Sequence, residues 1–478
     1  MEWYSAMILM LGTVCIIMFM GVPVAFAFFA ANILGTYLFH GGELGLVSMP
    51  LEFHLAISKY SLTPIALFLL MGEILLHTGV AFNAIGAIDR MISRIPGRLS
   101  VVSIVGGTVF SSLSGSTIAN TAILGSVLLP DMVKRGYKPS IAMGPIMAVG
   151  GIAMLIPPSA LAVLLASLTE QSVAQLLIAG IIPGILMAVL FFAYVIIRCI
   201  LDPSLAPTYN PEEDFLNKPI SVTLNFGGRD RILCTYSGSN RQFFNRILPF
   251  ILYILPLFVI FVVVVGSIFF KLAAPTEAAA LGCLAATFVC YMFRLFKNKI
   301  KITGIEGADF TWREIWKSLM ETAKINIMIL FIIAGSMVFS QALAASGATN
   351  GLLQVLTGMN LGVLIAVILM MVVLLFLGAF MDQVSMLLLT LPFYMPLAET
   401  LGINMIWLMV LMLIVMEISL LTPPFGLLLY VMKGVAPFEV SLEQVVRSAM
   451  PFVLIELVVL TLLIAAPAVA TWLPSMLN

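Results

Sequence analysis

The sequence LIPPS, residues 155–159, places a proline pair inside an apolar segment, and LTPPF, residues 421–425, does the same in the second half of the chain. Pro130 precedes the first pair by 27 residues and Pro396 precedes the second by 27, so the copies are 266 positions apart at both places. A proline inside a helix removes a backbone hydrogen bond and clashes with the preceding turn. In a membrane, the freed groups need partners in the protein or in a watery cavity. Matching breaks in two halves therefore predict an internal repeat and the binding site of a secondary transporter.

The composition indicates a polytopic membrane protein. The chain is 62% apolar and only 10% charged, with a mean hydropathy of +1.14, and apolar runs of about 20 residues, the length that crosses a bilayer, recur along it. The net charge is zero, so nothing favours a nucleic-acid partner. The five cysteines have no paired spacing and are interpreted as small apolar residues rather than a disulfide or metal framework. We expect a lipid bilayer as the surroundings and no cofactor.

The apolar runs predict a set of spans and two hairpins. We expect hairpins at 100–130 and 361–398, and spans near 64–88, 141–167, 176–200, 248–270, 276–296, 320–345, 404–432 and 449–473. A further apolar run, 6–38, is broken near Pro23 and crosses once or twice. With this arrangement 21 of the 23 Lys and Arg residues lie on one side, the exceptions being Lys59 and Lys271. The positive-inside rule makes that side cytoplasmic.

This arrangement predicts the fold class, an all-α polytopic membrane protein with an inverted repeat, two re-entrant hairpins and two helices broken at proline pairs. Hairpin 100–130 must enter and leave on the cytoplasmic side, and hairpin 361–398 on the opposite side, because the charges leave no other arrangement. The predicted parts are N-terminal scaffold spans (1–60), a first repeat (61–200), a cytoplasmic loop (201–247), scaffold spans with a connector (248–318) and a second repeat (319–478).

The cytoplasmic loop carries a pattern of its own. Residues 220–226 alternate apolar and polar side chains, Gly227 and Gly228 follow, and residues 232–236 are again β-prone. Alternation around a Gly-Gly turn predicts a β-hairpin. It either docks a partner or simply extends the loop.

The tip of the first hairpin, residues 110–121 (FSSLSGSTIANT), interrupts an apolar segment with hydroxyl residues and one glycine. Unwound backbone carbonyls there can bind a cation, with hydroxyl groups and the Asn120 amide as further oxygen ligands. A helix that restarts near Thr117 directs free N–H groups at the break, which suits a carboxylate. The alternative is helix packing through small residues. Because the segment recurs at the same offset, we favour the binding site.

The second tip, residues 378–383 (GAFMDQ), places an acid in a Leu-rich segment. At the offset of 266, Asp382 corresponds to Ser116 and Gln383 to Thr117. An acid is expensive in a bilayer and is a functional candidate by default, although Asp382 also suits a helix N-cap. The two roles are compatible. Glu417, six residues before Pro423, is interpreted either as support for a second cation site or as facing the scaffold.

Together, the tips and the proline breaks give two sets of candidate residues. The cation set is Ser114, Gly115, Ser116, Asn120, Pro157, Ser159, Gly378, Asp382, Thr422 and Pro423. The substrate set is Ser116, Thr117, Asn120, Thr121, Pro158, Gln383 and Pro424. Neither tip and neither break contains Lys or Arg, so helix ends, hydroxyl groups and bound cations would hold a substrate carboxylate.

These motifs, in this order, resemble the large membrane subunit (DctM-like) of tripartite ATP-independent periplasmic (TRAP) transporters. The resemblance covers about residues 60–430 and is carried by segments 67–73 (LFLLMGE), 114–125 (SGSTIANTAILG), 130–132 (PDM), 136–137 (GY), 156–159 (IPPS), 182–184 (IPG), 275–278 (PTEA), 378–382 (GAFMD) and 422–426 (TPPFG). Loop 201–247 is long for that family.

The resemblance implies sodium-driven uptake of an organic carboxylate, such as a C4-dicarboxylate or sialic acid, with Na⁺ at the cation residues. It also implies an elevator motion, a periplasmic substrate-binding protein, a small four-helix membrane subunit (DctQ-like) and a location in the bacterial inner membrane. The alternative is a stand-alone proton- or sodium-coupled permease or exchanger of related design. An intramembrane enzyme is not expected, because the sequence has no HExxH, no paired-Asp motif and no phosphate loop.

The predicted topology can be checked by labelling in a chain without native cysteines. Single cysteines at Lys134 and Asn298 should be shielded from an impermeant thiol reagent outside intact cells, because both positions are cytoplasmic by the positive-inside rule. Cysteines at Gly347 and Asn404 should react. Permeabilised cells, in which all four should react, are the control. Labelling of Asn298 in intact cells would overturn the topology.

Overall fold

The computed structural model describes residues 2–92, 95–207, 220–226, 229–236, 241–297, 300–301, 311–359, 362–424, 426–437 and 439–476. The helices of the first half are α1 Trp3–Phe19, α2 Val24–Phe39, α3 Glu43–Ile57, α4 Thr63–His77, α5 Val80–Met91, α6 Arg98–Ser114, α7 Thr117–Lys134, α8 Pro139–Ile152, α9 Ala160–Leu168, α10 Val173–Ala179 and α11 Ile181–Leu201. Those of the second half are α12 Arg241–Tyr253, α13 Leu255–Phe269, α14 Pro275–Lys297, α15 Trp312–Ala345, α16 Ala348–Gly358, α17 Val363–Gly378, α18 Gln383–Thr400, α19 Met405–Leu420, α20 Leu427–Val435, α21 Leu442–Ala465 and α22 Ala468–Ser475.

Six helical segments within the described residues are long and apolar enough to cross a membrane. They are Tyr60–His77, Val173–Leu201, Ile247–Phe269, Pro275–Arg294, Trp312–Ala345 and Leu442–Ala465. Several shorter apolar helices, including α1, α2, α8, α17 and α19, lie among them. The predicted multi-pass membrane architecture, built of helices, is confirmed.

The helices repeat at the spacing that the prolines predict. α7 begins at Thr117 and α18 at Gln383, 266 positions later, and each is 18 residues long. Each follows a helix, α6 or α17, with which it forms a helical hairpin across a short connection. After each hairpin comes an apolar helix, α8 or α19, and then a nine-residue helix, α9 or α20.

The proline pairs separate these last helices. α8 ends at Ile152 and α9 begins at Ala160, while α19 ends at Leu420 and α20 begins at Leu427. Both breaks lie inside spans that the sequence predicts, 141–167 and 404–432. The peptide bond within each proline pair is cis.

α8 and α19 lie in the core of the protein. Every residue of α8 from Ile141 to Ile152 is buried, and so is every residue of α19 from Ile406 to Leu420. A helix that is apolar on all sides is stable only when neighbours cover it completely. α6, α7 and α21 pack against α8, and α17, α21 and α10 pack against α19.

The strands within the described residues lie in the long loop and at residues 300–301. Strands β1 (Ile220–Phe226) and β2 (Arg229–Tyr236) pair antiparallel, and β3 (Ile300–Lys301) pairs antiparallel with β1 on its other edge. The two strands of the predicted hairpin are therefore present. β3 is a third strand of the sheet, which the sequence pattern in 201–247 does not predict. The predicted Gly227-Gly228 turn lies outside the described residues.

Some spans are more divided than the sequence suggests. The N-terminal run is broken between Phe19 and Val24, near Pro23 as expected. The span expected at 64–88 is two helices, because the chain turns at Gly79, whose φ of +76° lies in the left-handed region that glycine tolerates. α3 and α16 are further helices for which we predicted no separate element.

The close approach of α8 to α21 depends on Gly144, which has no side chain. A Cβ added at Gly144 would lie 2.4 Å from the Ser448 carbonyl oxygen and 2.5 Å from a ring carbon of Phe452. Backbone cannot withdraw as a flexible side chain can, so the helices would have to move apart. Close contact through glycine is common between membrane helices.

Gly144→Ala should therefore lower the stability of the purified protein. We expect a loss of about 1–3 kcal/mol, as for other overpacked cores, seen as a lower melting temperature in detergent. Gly86→Ala is the matched control: Gly86 lies in α5 with nothing within 4 Å of an added Cβ, so the better helix propensity of alanine should leave stability unchanged or raise it. Equal melting temperatures for the two variants would contradict this packing.

Candidate functional site

The tip of the first hairpin is a two-residue connection between α6 and α7. Gly115 has a φ of +60°, which favours glycine. Ser116 is extended, and its Oγ accepts a hydrogen bond from the backbone N–H of Ala119 at 3.4 Å, which caps α7. The chain thus breaks at Gly115 and resumes as a helix at Thr117, as the sequence predicts. The side chain of Ser114 lies outside the part of the chain that the structure describes.

Two buried oxygen atoms lie just beyond this tip. Asn120 donates through Nδ2 to Ser111 Oγ, and Ser111 Oγ donates to the Val149 carbonyl at 2.8 Å. Within the described residues, Asn120 Oδ1 and Thr121 Oγ1 have no hydrogen-bond partner, although both are buried. A Cβ added at Gly150 would lie 2.4 Å from Thr121 Oγ1, so this hydroxyl faces the last turn of α8. Buried polar atoms are normally paired, which makes these two oxygens candidate ligand atoms.

The first proline break lies directly against the first tip. Residues 153–159 are all buried. Ser159 caps α9, since its Oγ accepts from the Ala162 N–H at 3.2 Å. The carbonyl oxygen of Pro158 is 3.4 Å from the position of a Cβ on Gly115. The N-termini of α7 and α9 therefore come together at one place.

The second tip is closed by its acid. Asp382 Oδ2 accepts from the backbone N–H groups of Val384 at 3.1 Å and Ser385 at 3.2 Å, and Oδ1 accepts from Ser385 Oγ. Asp382 is thus the N-cap of α18, at the position that corresponds to the N-cap Ser116. A carboxylate has about four acceptor positions, so three hydrogen bonds leave capacity for a ligand. The capping role is confirmed, and a role in cation binding stays a prediction.

The second break is more exposed than the first. Pro423 and Pro424 are exposed, whereas Pro157 and Pro158 are buried. Thr422 Oγ1 donates to the Ile418 carbonyl at 2.7 Å and so completes the last turn of α19. The sequence repeat gives no sign of this difference in burial.

Two contacts connect the second tip to both breaks. A Cβ added at Gly378 would lie 2.3 Å from Ser419 Cβ, so the end of α17 touches α19 just before the second break. Gln383 Nε2 lies 3.2 Å from the sulfur of Met154, at the first break. The structure therefore brings together both tips and the first break, and it leaves Pro423 and Pro424 at the exposed edge of this group.

Two acidic residues are buried in the core of the protein. Glu417 and Glu456 are both 0% exposed. Glu417 was recognised from the sequence, but Glu456 was missed. The signal was available, because Glu456 lies in the apolar helix α21 and an acid in such a segment is a candidate by the criterion applied to Asp382.

A cavity of about 280 Å³ lies beside the second hairpin. Its lining comes from α15, α18 and the segment after α9, and includes Thr169, Glu170, Ser336, Ser340 and Pro396. Lys59 forms an ion pair with Glu170 at 3.0 Å, and Lys59 is one of the two basic residues that the topology places outside. The cavity is therefore on the side assigned to the periplasm.

Comparisons with known proteins consistently identify one family of transporters. The family model described as "Tripartite ATP-independent periplasmic transporter, DctM component" matches residues 11–469. The C4-dicarboxylate TRAP transporter large permease protein DctM of Pseudomonas aeruginosa is 30% identical over 88% of this chain and 87% of its own length. The Vibrio cholerae protein of the same description is 28% identical over 96% of this chain and 95% of its own.

A solved structure supports the fold. The YdaH transporter of Alcanivorax borkumensis, described as having an unusual topology, aligns with a TM-score of 0.55 at 14% identity and covers 88% of this chain and 87% of that one. The family model and the relatives are transporter components rather than enzymes, and they indicate a multi-pass protein of the bacterial inner membrane. Because the model match spans almost the whole sequence, the chain belongs to the DctM family, the membrane component of tripartite ATP-independent periplasmic transporters.

Proposed function

We propose that this protein carries out sodium-coupled uptake of an organic carboxylate, delivered by a periplasmic binding protein and moved by an elevator mechanism. The observation that supports this best is the meeting of two hairpin tips and a proline break at one place, in a chain of the DctM family. In this proposal the two helical hairpins are re-entrant and move against a scaffold.

The oxygen atoms at the site suit a sodium ion. Asn120 Oδ1 and Thr121 Oγ1 are buried without hydrogen-bond partners among the described residues, and Asp382 adds an anionic oxygen. Hard cations prefer carboxylate, amide, hydroxyl and carbonyl oxygens. Helix breaks in transporters supply further carbonyl oxygens to coupling ions.

The substrate would be held mainly by helix N-termini. α7, α9 and α18 begin at the site, behind Ser116, Ser159 and Asp382. A helix N-terminus presents free N–H groups and a partial positive charge, which favours anions. No Lys or Arg lies at the tips or breaks, so bound cations would supply the remaining charge. The relatives are C4-dicarboxylate permeases by description, and we propose a small organic acid of this class here.

The proposal includes two partners. The family is one component of a tripartite transporter, and we propose a small four-helix membrane subunit and a periplasmic substrate-binding protein as the others. The cavity beside α18 lies on the periplasmic side of the predicted topology and would receive substrate from the binding protein. The alternative of a stand-alone permease is not favoured, because the family model describes a component of an assembly.

Asp382→Asn should weaken the sodium dependence of uptake or abolish uptake while leaving membrane insertion intact. Asparagine keeps the size and a capping oxygen but removes the negative charge that a cation would need in a low-dielectric site. The measurement is uptake of radiolabelled dicarboxylate into proteoliposomes with all three components, over a range of sodium concentrations.

The matched control is Asn404→Asp. Asn404 caps α19 by accepting from the Trp407 N–H at 3.0 Å, and it lies outside the site. Asn404→Asp makes the reverse exchange at a helix cap outside the site, so the sodium dependence of uptake should stay unchanged. A wild-type sodium response in Asp382→Asn would remove Asp382 from the cation site.

Replacing Pro157 and Pro158 together with Ala should let α8 and α9 join into one helix. Each change restores an N–H donor and removes a steric block, worth up to about 3 kcal/mol toward helix. Carbonyls free for a cation would then enter the helical ladder, so sodium-driven uptake should fall while protein abundance holds or rises. Replacing Pro423 and Pro424 should act in the same way.

Pro145→Ala is the control for these double variants. Pro145 is buried within α8, and the helix continues through it, so its replacement should change uptake little. If the breaks only shape packing, abundance and uptake should decline in parallel in the double variants. Normal uptake by a stably inserted double variant would exclude that break from the ion site.

A further inference from the structure

Glu417 on α19 and Glu456 on α21 are both fully buried, at 0% exposure. Within the described part of the chain, no hydrogen bond reaches any of their four carboxylate oxygens. An ionised carboxylate in such surroundings is very unfavourable, because it loses the solvation by water and gains no partner. Each therefore requires either a proton or another cation.

The first contact that positions the pair joins α8 to α19. A Cβ added at Gly151 would lie 1.8 Å from Glu417 Oε1, so the carboxylate lies directly on the backbone of α8. Seven residues earlier, about two turns of helix, Gly144 touches Ser448 and Phe452 of α21. α8 therefore contacts both acid-bearing helices.

A second contact joins α19 to α21. Trp407 Nε1 donates to the Leu463 carbonyl at 2.8 Å, and Glu456 lies on α21 between Phe452 and Leu463. The contacts place Glu417 and Glu456 together where α8, α19 and α21 meet. The two carboxyl groups interact electrostatically.

The backbone makes this place still more negative. α8 ends at Ile152, one residue after Gly151, and Glu417 lies in the last turn of α19, which ends at Leu420. The C-terminus of a helix carries a partial negative charge of about half a unit. Two helix C-termini and two acids thus meet, and among the residues that the structure describes none donates a hydrogen bond to either acid.

The basic side chains on α11, α20 and the first turns of α21 have other partners. The titratable groups on α11, α20 and the first turns of α21 are Tyr194, Arg198, Cys199, Tyr430, Lys433, Glu443 and Arg447; α8, α9, α10, α17 and α22 carry none. Lys433 donates to the Val440 carbonyl, and Arg447 pairs with Glu443. Tyr194 packs edge-on against Phe452, one turn before Glu456, and hydrogen-bonds to Arg198.

We propose that Glu417 and Glu456 form a proton-binding site that takes up and releases a proton during the transport cycle. A metal cation needs a cavity with several oxygen ligands around it, whereas a proton needs only a lone pair, and these oxygens are closely covered. Two adjacent carboxyl groups hold a proton readily because both cannot ionise together. The proton comes from water and forms an O–H bond on one carboxyl oxygen, and on release it returns to water.

The location gives this proton a role. α8 leads into the first proline break and α19 into the second, so the charge at their junction acts on both. The acid pair contains none of the proposed sodium ligands, although Thr121 faces Gly150, the neighbour of Gly151 in α8. The proton site relies on the proposed function only where sodium is used as a probe.

Infrared difference spectroscopy of the purified protein tests the site without transport. Raising the pH from about 5 to about 9, across the range where perturbed carboxyl groups titrate, should remove a protonated-carboxyl band from the wild-type spectrum. The double variant Glu417→Gln, Glu456→Gln should lack this band. A wild-type band that does not change with pH would overturn the proposal even if the variants failed to fold, as would a titrating band that persists in the double variant.

Stability supplies a second measurement with a defined sign. If the folded protein holds a proton that the unfolded chain releases, the unfolded state gains population as pH rises, by about tenfold per pH unit for one proton. The double variant should lose this slope. Glu399→Gln, which changes an exposed acid at the end of α18, should keep it. A double variant with the wild-type slope would contradict the proposal.

Sodium separates this inference from the proposed function. A cation that binds only the folded protein stabilises it, so sodium should stabilise the wild-type protein if the proposed sodium site exists. Asp382→Asn should lose that stabilisation and keep the pH-dependent infrared band, whereas the Glu variants should do the reverse. Loss of the carboxyl band on addition of sodium at constant pH would show that the pair binds sodium instead, and would overturn the proton site while leaving sodium coupling intact.

Discussion

Backbone groups that have lost their helical partners are the constraint on which this structure depends. Each proline pair ends one helix and starts another within an apolar segment of the chain, and no lipid can satisfy the freed N–H and carbonyl groups. Ser116, Ser159 and Asp382 each satisfy part of a helix N-terminus with a side-chain oxygen. The hairpin tips must also stay close to the first break, because only protein or a bound ligand can cover what the caps leave. In the proposed function, the atoms that satisfy the broken helices would also form the binding site.

Much of this could be predicted from the sequence because its causes are local. A proline pair interrupts a helix through its own local chemistry. The ends of α8 and α19 could therefore be predicted from the positions of the prolines in the sequence. Ser116 and Asp382 cap helices because their oxygens reach N–H groups two or three residues ahead. The β-hairpin in the loop follows in the same way from alternation around two glycines.

The rest depends on contacts between distant residues, which periodicity does not encode. Nothing near Gln383 predicts that its amide touches Met154, and nothing near Gly151 predicts that Glu417 lies on it. The partnership of Glu417 and Glu456 was missed for this reason, as were the separate helices α3 and α16. The two proline pairs look equivalent in sequence, yet one is buried and the other exposed. Under the proposed elevator mechanism, the two halves of the repeat would lie in unlike environments in any one state, which agrees with this difference.

Charge at the site explains why anion transport here would require cations. In the proposed function, three helix N-termini, each equivalent to roughly half a positive charge, would face a dicarboxylate and Asp382, which together would bring about three negative charges. Neither tip and neither break contains Lys or Arg to make up the difference. Under the proposed function, one or two monovalent cations that enter with the substrate would bring the site close to neutral. A lysine at the site would bind the substrate carboxylate without a bound cation. Uptake would then no longer depend on the ion gradient that drives accumulation of the substrate. Under the proposed function, the lack of Lys and Arg in the tips and breaks would make substrate binding depend on the coupling ion.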